Sequence, residues 1–189
     1  MKLPDCVTVA IPGWLKQYGQ SIPSFFFCDQ DAMAVAIGLA SLNTQHRTGG
    51  PFGALLVDDT NGSLLAPGVN LVLSAQSSML HAEVCAILLA QQKLGSHDVS
   101  DGGRRSITLY TTAEPCAMCL GAIPWSGIRR VVCGARDEDV RKVGFDEGDK
   151  PSDWMAAYTR RGIRVLRDVL REEACAVLNA YASAEGQLY

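Results

Sequence analysis

The strongest constraint on the fold of this chain is a short segment, TTAEPCAMCLGAIPW (111–125), in which two cysteines follow a proline closely. Cys116 and Cys119 are three positions apart, so a helix places both sulfurs on one face, one turn apart. Pro115 suits the first turn of that helix, because this turn leaves its N–H groups unpaired and proline has none. The helix dipole favours thiolates there, and thiolates are ligands of Zn²⁺. The segment therefore predicts a helix whose N-terminus can hold metal.

A second segment supplies a partner for these cysteines, which alone would fit a redox pair or a packed core equally well. HAEVCAILLAQQKLG (81–95) predicts a helix that opens with His81 and Glu83. One imidazole and two thiolates leave the fourth tetrahedral position of zinc to water, as in catalytic zinc sites. Glu83 is then the candidate acid/base that takes a proton from this water. Glu114 is a rival, but a residue before proline is held in extended geometry.

The order of predicted elements indicates an α/β fold. Strands are predicted at FGALLVDD, SLLAPGVNLVLS, SITLYTTA, RRVVCGA and IRVLRDV, with helices before, between and after them. We expect a three-layer α/β/α sandwich around a central five-stranded mixed sheet, with parallel pairing where helices intervene late in the chain. Residues 1–28 read as an irregular N-terminal extension with room for one short helix, and residues 29–189 as a single domain.

Composition excludes several classes of protein. A chain of 189 residues with 48% hydrophobic residues can bury the core of one domain. Its net charge of −3 gives no general attraction to phosphate backbones, so a nucleic-acid partner is not expected. A cluster of arginines near the C-terminus reads as a solvated face: Arg160, Arg161, Arg164, Arg167 and Arg171.

The cysteines and the absence of a targeting segment predict a cytoplasmic protein. The number of cysteines, seven, is odd, which suits a reducing compartment. No segment resembles a signal peptide or a membrane span.

The His-Ala-Glu segment and the later Pro-Cys-Ala-Met-Cys segment together resemble the signature of the zinc-dependent cytidine deaminase-like superfamily. The resemblance extends from about Asp29 to Lys150. It implies one Zn²⁺ per chain, held by His81, Cys116 and Cys119. It also implies that Glu83 shuttles protons in a hydrolytic deamination that releases ammonia.

Other stretches resemble bacterial guanine deaminases in particular. GGPFGALLV (49–57) matches their pattern, although tRNA adenosine deaminases share much of it. KVGFDEG (142–148) resembles a loop of the guanine deaminases, and the last residue, Tyr189, resembles a terminal tyrosine that helps to close their active site. The resemblance implies conversion of guanine to xanthine and ammonia, a step of purine catabolism.

A guanine pocket also predicts substrate contacts. The N1–H and exocyclic amine of guanine are donors, so a carboxylate acceptor suits them, and Glu147 is the candidate. The related loop usually carries aspartate; Glu147 is also a candidate to move a proton to the departing amine. Asn70, predicted on the second strand, is the amide expected to contact the base. Phe52, Trp125 and Phe145 are candidates for flat apolar walls.

Other functions stay open at this point. The same metal signature occurs in tRNA adenosine deaminases that act on a flipped base, and in cytosine or cytidine deaminases. A non-catalytic, zinc-stabilised scaffold would need a fourth protein ligand or the loss of Glu83. The resemblance further implies a homodimer, and it leaves open whether the C-terminal segment is exchanged between subunits.

Overall fold

The structure is a computed structural model that describes residues 8–189. Predictions that concern residues 1–7, including the start of the expected extension, lie outside these residues. Within the described part of the chain one sheet contains five strands: Gly53–Asp58 (β1), Ser63–Val69 (β2), Ile107–Ala113 (β3), Arg130–Ala135 (β4) and Arg164–Leu166 (β5).

The sheet is mixed, with the order β2-β1-β3-β4-β5. β1 is antiparallel to both β2 and β3, whereas β3, β4 and β5 are parallel to one another. A tight turn, in which the N–H of Gly62 donates to the carbonyl of Asp58, joins β1 to β2. Parallel strands need long crossovers, and helices fill the connections from β3 to β4 and from β4 to β5. The predicted five-stranded mixed sheet is confirmed.

Helices cover both faces of this sheet. In chain order they are Gly13–Gly19 (α1), Asp29–Gln45 (α2), Val72–Ala75 (α3), Ala82–Leu94 (α4), Ala117–Ala122 (α5), Asp137–Lys142 (α6), Trp154–Arg160 (α7) and Arg171–Ser183 (α8). A 3₁₀ turn at Ile123–Ser126 follows α5.

Alternate residues of the central strands point to opposite faces, as the pleat of a strand requires. Leu55 and Val57 of β1 pack in the same core as α2, whereas Ala54 and Leu56 pack in the core that contains α4 and α7. Every residue of β1 is buried, because helices cover both faces. The predicted three-layer α/β/α sandwich is therefore confirmed.

A glycine on β2 brings α4 close to the sheet. Gly68 lies directly beneath the first turn of α4, and a Cβ atom there would collide with the carbonyl of Ala82. This close approach fixes the distance between the N-terminus of α4 and the sheet. That terminus carries His81 and Glu83, two of the predicted site residues.

Several boundaries differ from the predictions. The second strand ends at Val69 rather than continuing to Ser74, because the chain turns at Asn70 and then forms α3. The last strand is only Arg164–Leu166, because Asp168 and Leu170 adopt left-handed backbone conformations that end its extended run. Helix α7 was not predicted.

The segment before α2 takes part in the core. α1 is the short helix for which the sequence left room, and Leu15, Ile22 and Phe26 are buried in the same cluster as α2. The division of the chain at residues 28 and 29 stays a prediction. Among residues 8–189 no helix combines the length and the apolar character that crossing a bilayer requires.

Candidate active site

The candidate site lies at the edge of the sheet where β3 and β4 end. β3 ends at Ala113, and the next residue, Glu114, donates its N–H to the carbonyl of Ala135 at the end of β4 (2.9 Å). Pro115 and Cys116 then lead the chain out of the sheet. The carboxyl ends of parallel strands are the usual place for ligands in α/β proteins.

The three predicted metal ligands converge at this edge. His81 lies at the N-cap of α4 and Cys116 at the N-cap of α5, both with extended backbone, and Cys119 lies inside α5. The Sγ atom of Cys116 is 3.4 Å from Nδ1 of His81, and the ligand atoms of all three residues lie within 4.8 Å of one another.

The helix with the two cysteines begins later than the sequence predicted. Pro115 and Cys116 were expected in its first turn, but α5 starts at Ala117. Cys116 stays extended and caps the helix, and its carbonyl accepts the N–H of Leu120 (2.9 Å). This correction leaves the two sulfurs on the same side, because Cys119 lies in the first turn.

This donor set fits a zinc ion. Tetrahedral zinc, with bonds of about 2.3 Å to sulfur and about 2.0–2.1 Å to nitrogen, separates its ligand atoms by about 3.5–3.8 Å. The Sγ–Nδ1 distance of 3.4 Å is close to that separation. Three protein ligands of this kind are typical of catalytic zinc. In residues 8–189 this is the only group of three potential metal ligands found so close together.

One of the three candidate ligands, Cys116, is favoured as a thiolate. The hydrogen bond between Cys116 and Cys119 lowers the pKa of Cys116 to about 4, and the bond from His81 lowers it further. The hydrogen bond with Cys116 and burial raise the pKa of Cys119. Burial lowers the pKa of His81, but its bond to Cys116 and the neighbouring negative charges leave that pKa above the ordinary value. Cys116 therefore carries negative charge where a metal would lie.

Glu83 is buried beside these ligands. It follows His81 by two residues in the first turn of α4 and lines the same pocket as His81 and Cys116. Burial raises the pKa of Glu83, and the negative charge of Cys116 raises it further. A buried carboxyl with a raised pKa can both accept and return a proton near neutral pH.

Aromatic rings form the apolar part of the pocket. The ring centroids of Phe52 and Phe145 are 5.0 Å apart in an edge-to-face arrangement, and the ring of Tyr189 is 5.5 Å from that of Phe145. Tyr189 also approaches the ring of His81 at 6.5 Å. The C-terminal residue therefore lies in the pocket of its own chain, and its buried hydroxyl has no hydrogen-bond partner.

Asn70 presents a donor to the pocket. Its Oδ1 accepts the N–H groups of Val72 (3.1 Å) and Gly50 (3.4 Å), so the orientation of the amide is fixed. Its Nδ2 is buried and has no protein partner. A buried donor without a partner is costly, which indicates that a ligand is meant to accept from it.

Glu147 lines the pocket from the loop that follows α6. Its main-chain carbonyl accepts the N–H of Ala117 at the start of α5 (2.9 Å), which ties the loop to the helix with the cysteines. The side chain is buried, and burial raises the pKa of Glu147 to about 8, with a further contribution from the charge of Cys116.

The comparisons with known proteins agree with this geometry. A family model for the zinc-binding region of cytidine and deoxycytidylate deaminases matches residues 27–135, more than half of the chain. The chain belongs to this deaminase family. With the three ligands in place, it is a zinc-dependent deaminase.

Individual relatives of the deaminase extend the match. A guanine deaminase of Bacillus subtilis is 39% identical over 124 residues, which are 62% of this chain and 75% of that protein. A tRNA-specific adenosine deaminase of Haemophilus influenzae is 37% identical over 136 residues, 69% of this chain and 70% of that protein. A solved structure of a guanine deaminase from Nitrosomonas europaea is 39% identical, with a TM-score of 0.90, and covers 97% of this chain and 100% of that chain.

One predicted substrate contact of the deaminase is not in the pocket. Trp125 lies in the 3₁₀ turn after α5, on the surface beside Trp154 and Tyr158. Trp125 is 78% exposed. The expectation that it forms a wall of the pocket does not hold within a single chain. The turn continues α5 away from the metal ligands, and nothing in the sequence spacing indicates that direction.

Glu114, the rival acid/base, is occupied elsewhere. Its Oε1 accepts from Arg167 (2.9 Å) and its Oε2 from the N–H of Asp137 (3.2 Å). These bonds hold the carboxylate, although the residue contributes to the pocket lining. Glu83 therefore stays the better candidate.

Two features of the deaminase site had no signal in the sequence. Asp146 also lines the pocket, but it lies in a run of acidic residues that reads as solvated. Lys150 is buried, with a side chain only 7% exposed, although lysine is almost always exposed. Their positions depend on how the loop folds back on α5 and α6.

Proposed function

We propose that this deaminase hydrolyses free guanine to xanthine and ammonia. The observation that carries the proposal is a buried pocket beside the metal ligands, with aromatic walls and two polar groups of opposite character, the Asn70 amide donor and the Glu147 carboxyl. Similarity over nearly the whole chain to the guanine deaminase of Nitrosomonas europaea supports it.

These groups suit the shape and polarity of guanine. Phe52, Phe145 and Tyr189 offer apolar surface to a flat purine. The Nδ2 of Asn70 can donate to a ring nitrogen or to the carbonyl oxygen of guanine. The Glu147 carboxyl can accept from N1–H and from the exocyclic amine. Adenine has no N–H donor at N1, so one acceptor oxygen of the Glu147 carboxyl would have no partner on it.

The chemistry uses two carboxyl groups. His81, Cys116 and Cys119 would hold the zinc ion, which would supply Lewis acidity towards water at neutral pH. We propose that Glu83 takes a proton from the attacking water and delivers it to the departing amine, so that a C–O bond forms, a C–N bond breaks and ammonia leaves. Glu147 is the second group that can hold a proton at this amine. Tyr189 covers the pocket and excludes bulk water.

The position of Tyr189 favours a free base. Its ring lies in the pocket, 5.5 Å from that of Phe145 and 6.5 Å from that of His81. A base that is still attached to an RNA chain would have to displace Tyr189.

The relative from Haemophilus influenzae makes tRNA adenosine the main alternative substrate. The surface charge argues against it, because the net charge is −3. In addition, Arg167 and Arg171 each form ion pairs with carboxylates of this chain.

An ammonia-release assay tests the proposal. Purified zinc-loaded protein is incubated with guanine, adenine, cytosine, guanosine, cytidine and an RNA anticodon stem-loop. We expect release from guanine at a rate well above that from the others. Release from the stem-loop but not from guanine would replace the proposal by RNA deamination, and release from cytosine or cytidine by a pyrimidine activity. No release from any substrate would favour a zinc-stabilised scaffold.

We further propose that the enzyme is a cytoplasmic homodimer. The exposed Trp125 and the apolar surface around it support an interface, and the odd number of cysteines suits a reducing compartment. Light scattering coupled to size exclusion should give twice the mass of the chain. A monomeric mass would contradict the dimer without touching the proposed chemistry.

A further inference from the structure

The loop that carries Glu147 also carries a lysine, Lys150, whose side chain is buried. The Nζ of Lys150 is 2.9 Å from Oδ1 of Asp137 and 3.8 Å from Oε2 of Glu114, and it lies 5.6 Å from the centre of the Trp154 ring. Lys150 follows Glu147 by three residues, whereas Glu114 precedes the metal ligand Cys116 by two. The lysine therefore joins the two halves of the site.

Lys150 is not needed to neutralise these carboxylates. Glu114 already accepts from Arg167 (2.9 Å), and Asp137 already accepts from Arg141 (2.7 Å). Burying a lysine removes its charge from water at a considerable free-energy cost, and such pairs are weak sources of stability. Arg141 already joins Asp137 to the carbonyl of Gly148 in this loop. What Lys150 adds is an ion-pair link from the loop to Glu114 as well as to Asp137.

Main-chain bonds make the connection from Lys150 to Glu147 short and rigid. The N–H of Lys150 donates to the carbonyl of Gly148 (3.1 Å), and the same carbonyl accepts from the Arg141 guanidinium (2.6 Å). One residue earlier, the carbonyl of Glu147 accepts the N–H of Ala117 (2.9 Å). Movement of the lysine therefore moves the backbone that carries the Glu147 side chain.

We propose that Lys150 is a positioning residue that sets the Glu147 carboxyl in the pocket by anchoring its loop to Glu114 and Asp137. The proposal rests on the proposed function, in which the Glu147 carboxyl accepts hydrogen bonds from guanine. It also gives Glu114, the rejected acid/base candidate, a role as the anchor on the metal-ligand side.

Kinetics of four chains test the coupling: the wild type, Lys150→Met, Glu147→Gln and the double variant. We expect Lys150→Met to lower kcat/KM for guanine by about 10–100-fold, the usual scale for a group that orients another. In the Glu147→Gln background the same change should cost little more, because the group that it positions is already altered. An equal loss in both backgrounds would overturn the proposal.

Hydrogen exchange gives a second measurement that needs no substrate. Loss of the anchor should speed exchange in peptides that contain Ala117 and residues 144–153, with zinc content unchanged. Arg160→Met is the matched control, because it removes a cation whose pair with Asp153 is exposed, and it should leave exchange and activity as in the wild type. Unchanged exchange in Lys150→Met would contradict the positioning role.

Two further arms keep the outcomes separate. If Lys150→Met does not fold, Lys150→Gln, which keeps a hydrogen-bonding group without the charge, replaces it in both measurements. If the wild type releases no ammonia from guanine, the proposed function fails, and the hydrogen-exchange result still decides whether Lys150 anchors the loop.

Discussion

The two sides of the pocket are built in different ways. The metal side comes from two helix N-termini: His81, Glu83, Cys116 and Cys119. The base side comes from loops and the chain end: Phe52, Asn70, Phe145, Glu147 and Tyr189. On the metal side each residue is within three positions of another, and regular helix fixes the spacing. On the base side tertiary contacts alone bring the residues together. We therefore expect changes on the metal side to abolish chemistry, and changes on the base side, apart from Glu147, to weaken binding by graded amounts.

The largest effect should come from Glu83→Gln. If Glu83 moves the proton, kcat should fall by about 10²–10⁴-fold, because glutamine has the same shape but cannot take a proton. Zinc per chain, measured by elemental analysis, should be unchanged. Glu172→Gln, at an exposed position in the first turn of α8, is the matched control and should keep full turnover. Unaltered turnover in Glu83→Gln would remove the carboxyl from the mechanism and erase the expected contrast between the two sides.

On the base side, Asn70→Asp should have the next largest effect. Aspartate keeps an oxygen for the N–H groups of Val72 and Gly50 but replaces the buried donor by an acceptor. We expect kcat/KM for guanine to fall by about 10–100-fold, mainly through KM, since a polar contact in a buried site is lost. Asn61→Asp, in which an exposed asparagine oxygen accepts the N–H of Ser63, is the control. A fall in kcat alone would mean that Asn70 acts on the chemical step.

A smaller effect is expected from Gly50→Ala. A Cβ atom at this position would collide with the hydroxyl of Tyr189, so the substitution should push the C-terminal ring out of the pocket without touching the metal ligands. An aromatic pair is worth about 0.5–1.5 kcal/mol, which corresponds to a loss in kcat/KM of about 2–10-fold. Gly121→Ala, which meets no atom within 4 Å, is the control. If Tyr189→Ala alone costs nothing, the ring has no role in closing the pocket.

The smallest effect concerns the support of the base side. The hydrogen bond with Arg171, which joins α6 to α8, lowers the pKa of Asp139 to about 2. An unfolded chain protonates this group near pH 3.9, so the pair stabilises the fold above about pH 4, and its contribution is lost as the pH falls towards 2.

Urea unfolding at several pH values measures this contribution. Asp139→Asn should lower the free energy of unfolding by about 1–2 kcal/mol at pH 6, and the difference from the wild type should shrink below pH 4. Asp153→Asn, which breaks an exposed pair with Arg160, is the control and should change the free energy of unfolding little. A constant difference across the pH range would mean that the effect does not arise from the charge of Asp139. Activity at neutral pH should change little.

The accuracy of the sequence-based predictions also differs between the metal side and the base side. The ligand set His81, Cys116 and Cys119 converges as predicted, because a spacing of three residues near a helix start is a local property. Even there the helix begins at Ala117, two residues after the predicted start, since Cys116 adopts a capping conformation.

The base side was predicted less well for a physical reason. Phe52, Asn70, Phe145, Glu147 and Tyr189 do line the pocket, but Trp125 does not. An aromatic residue can be recognised in a sequence, whereas the direction in which a 3₁₀ turn carries it depends on packing. The buried Lys150 was missed for the same reason, because the chain around it reads as a polar, acidic loop until its contacts with Asp137 and Glu114 are known. Helix α7, only seven residues long, was also missed.

The fixed amide of Asn70 limits how this pocket can change its ligand. An asparagine with free rotation could exchange oxygen for nitrogen by a half-turn and so accept molecules of opposite polarity. Here two main-chain N–H groups hold the oxygen, so the half-turn would leave both of them facing another N–H donor. A preference for a ligand group that donates a hydrogen bond at this point therefore requires a different amino acid at position 70. Rotation of the existing side chain cannot provide it.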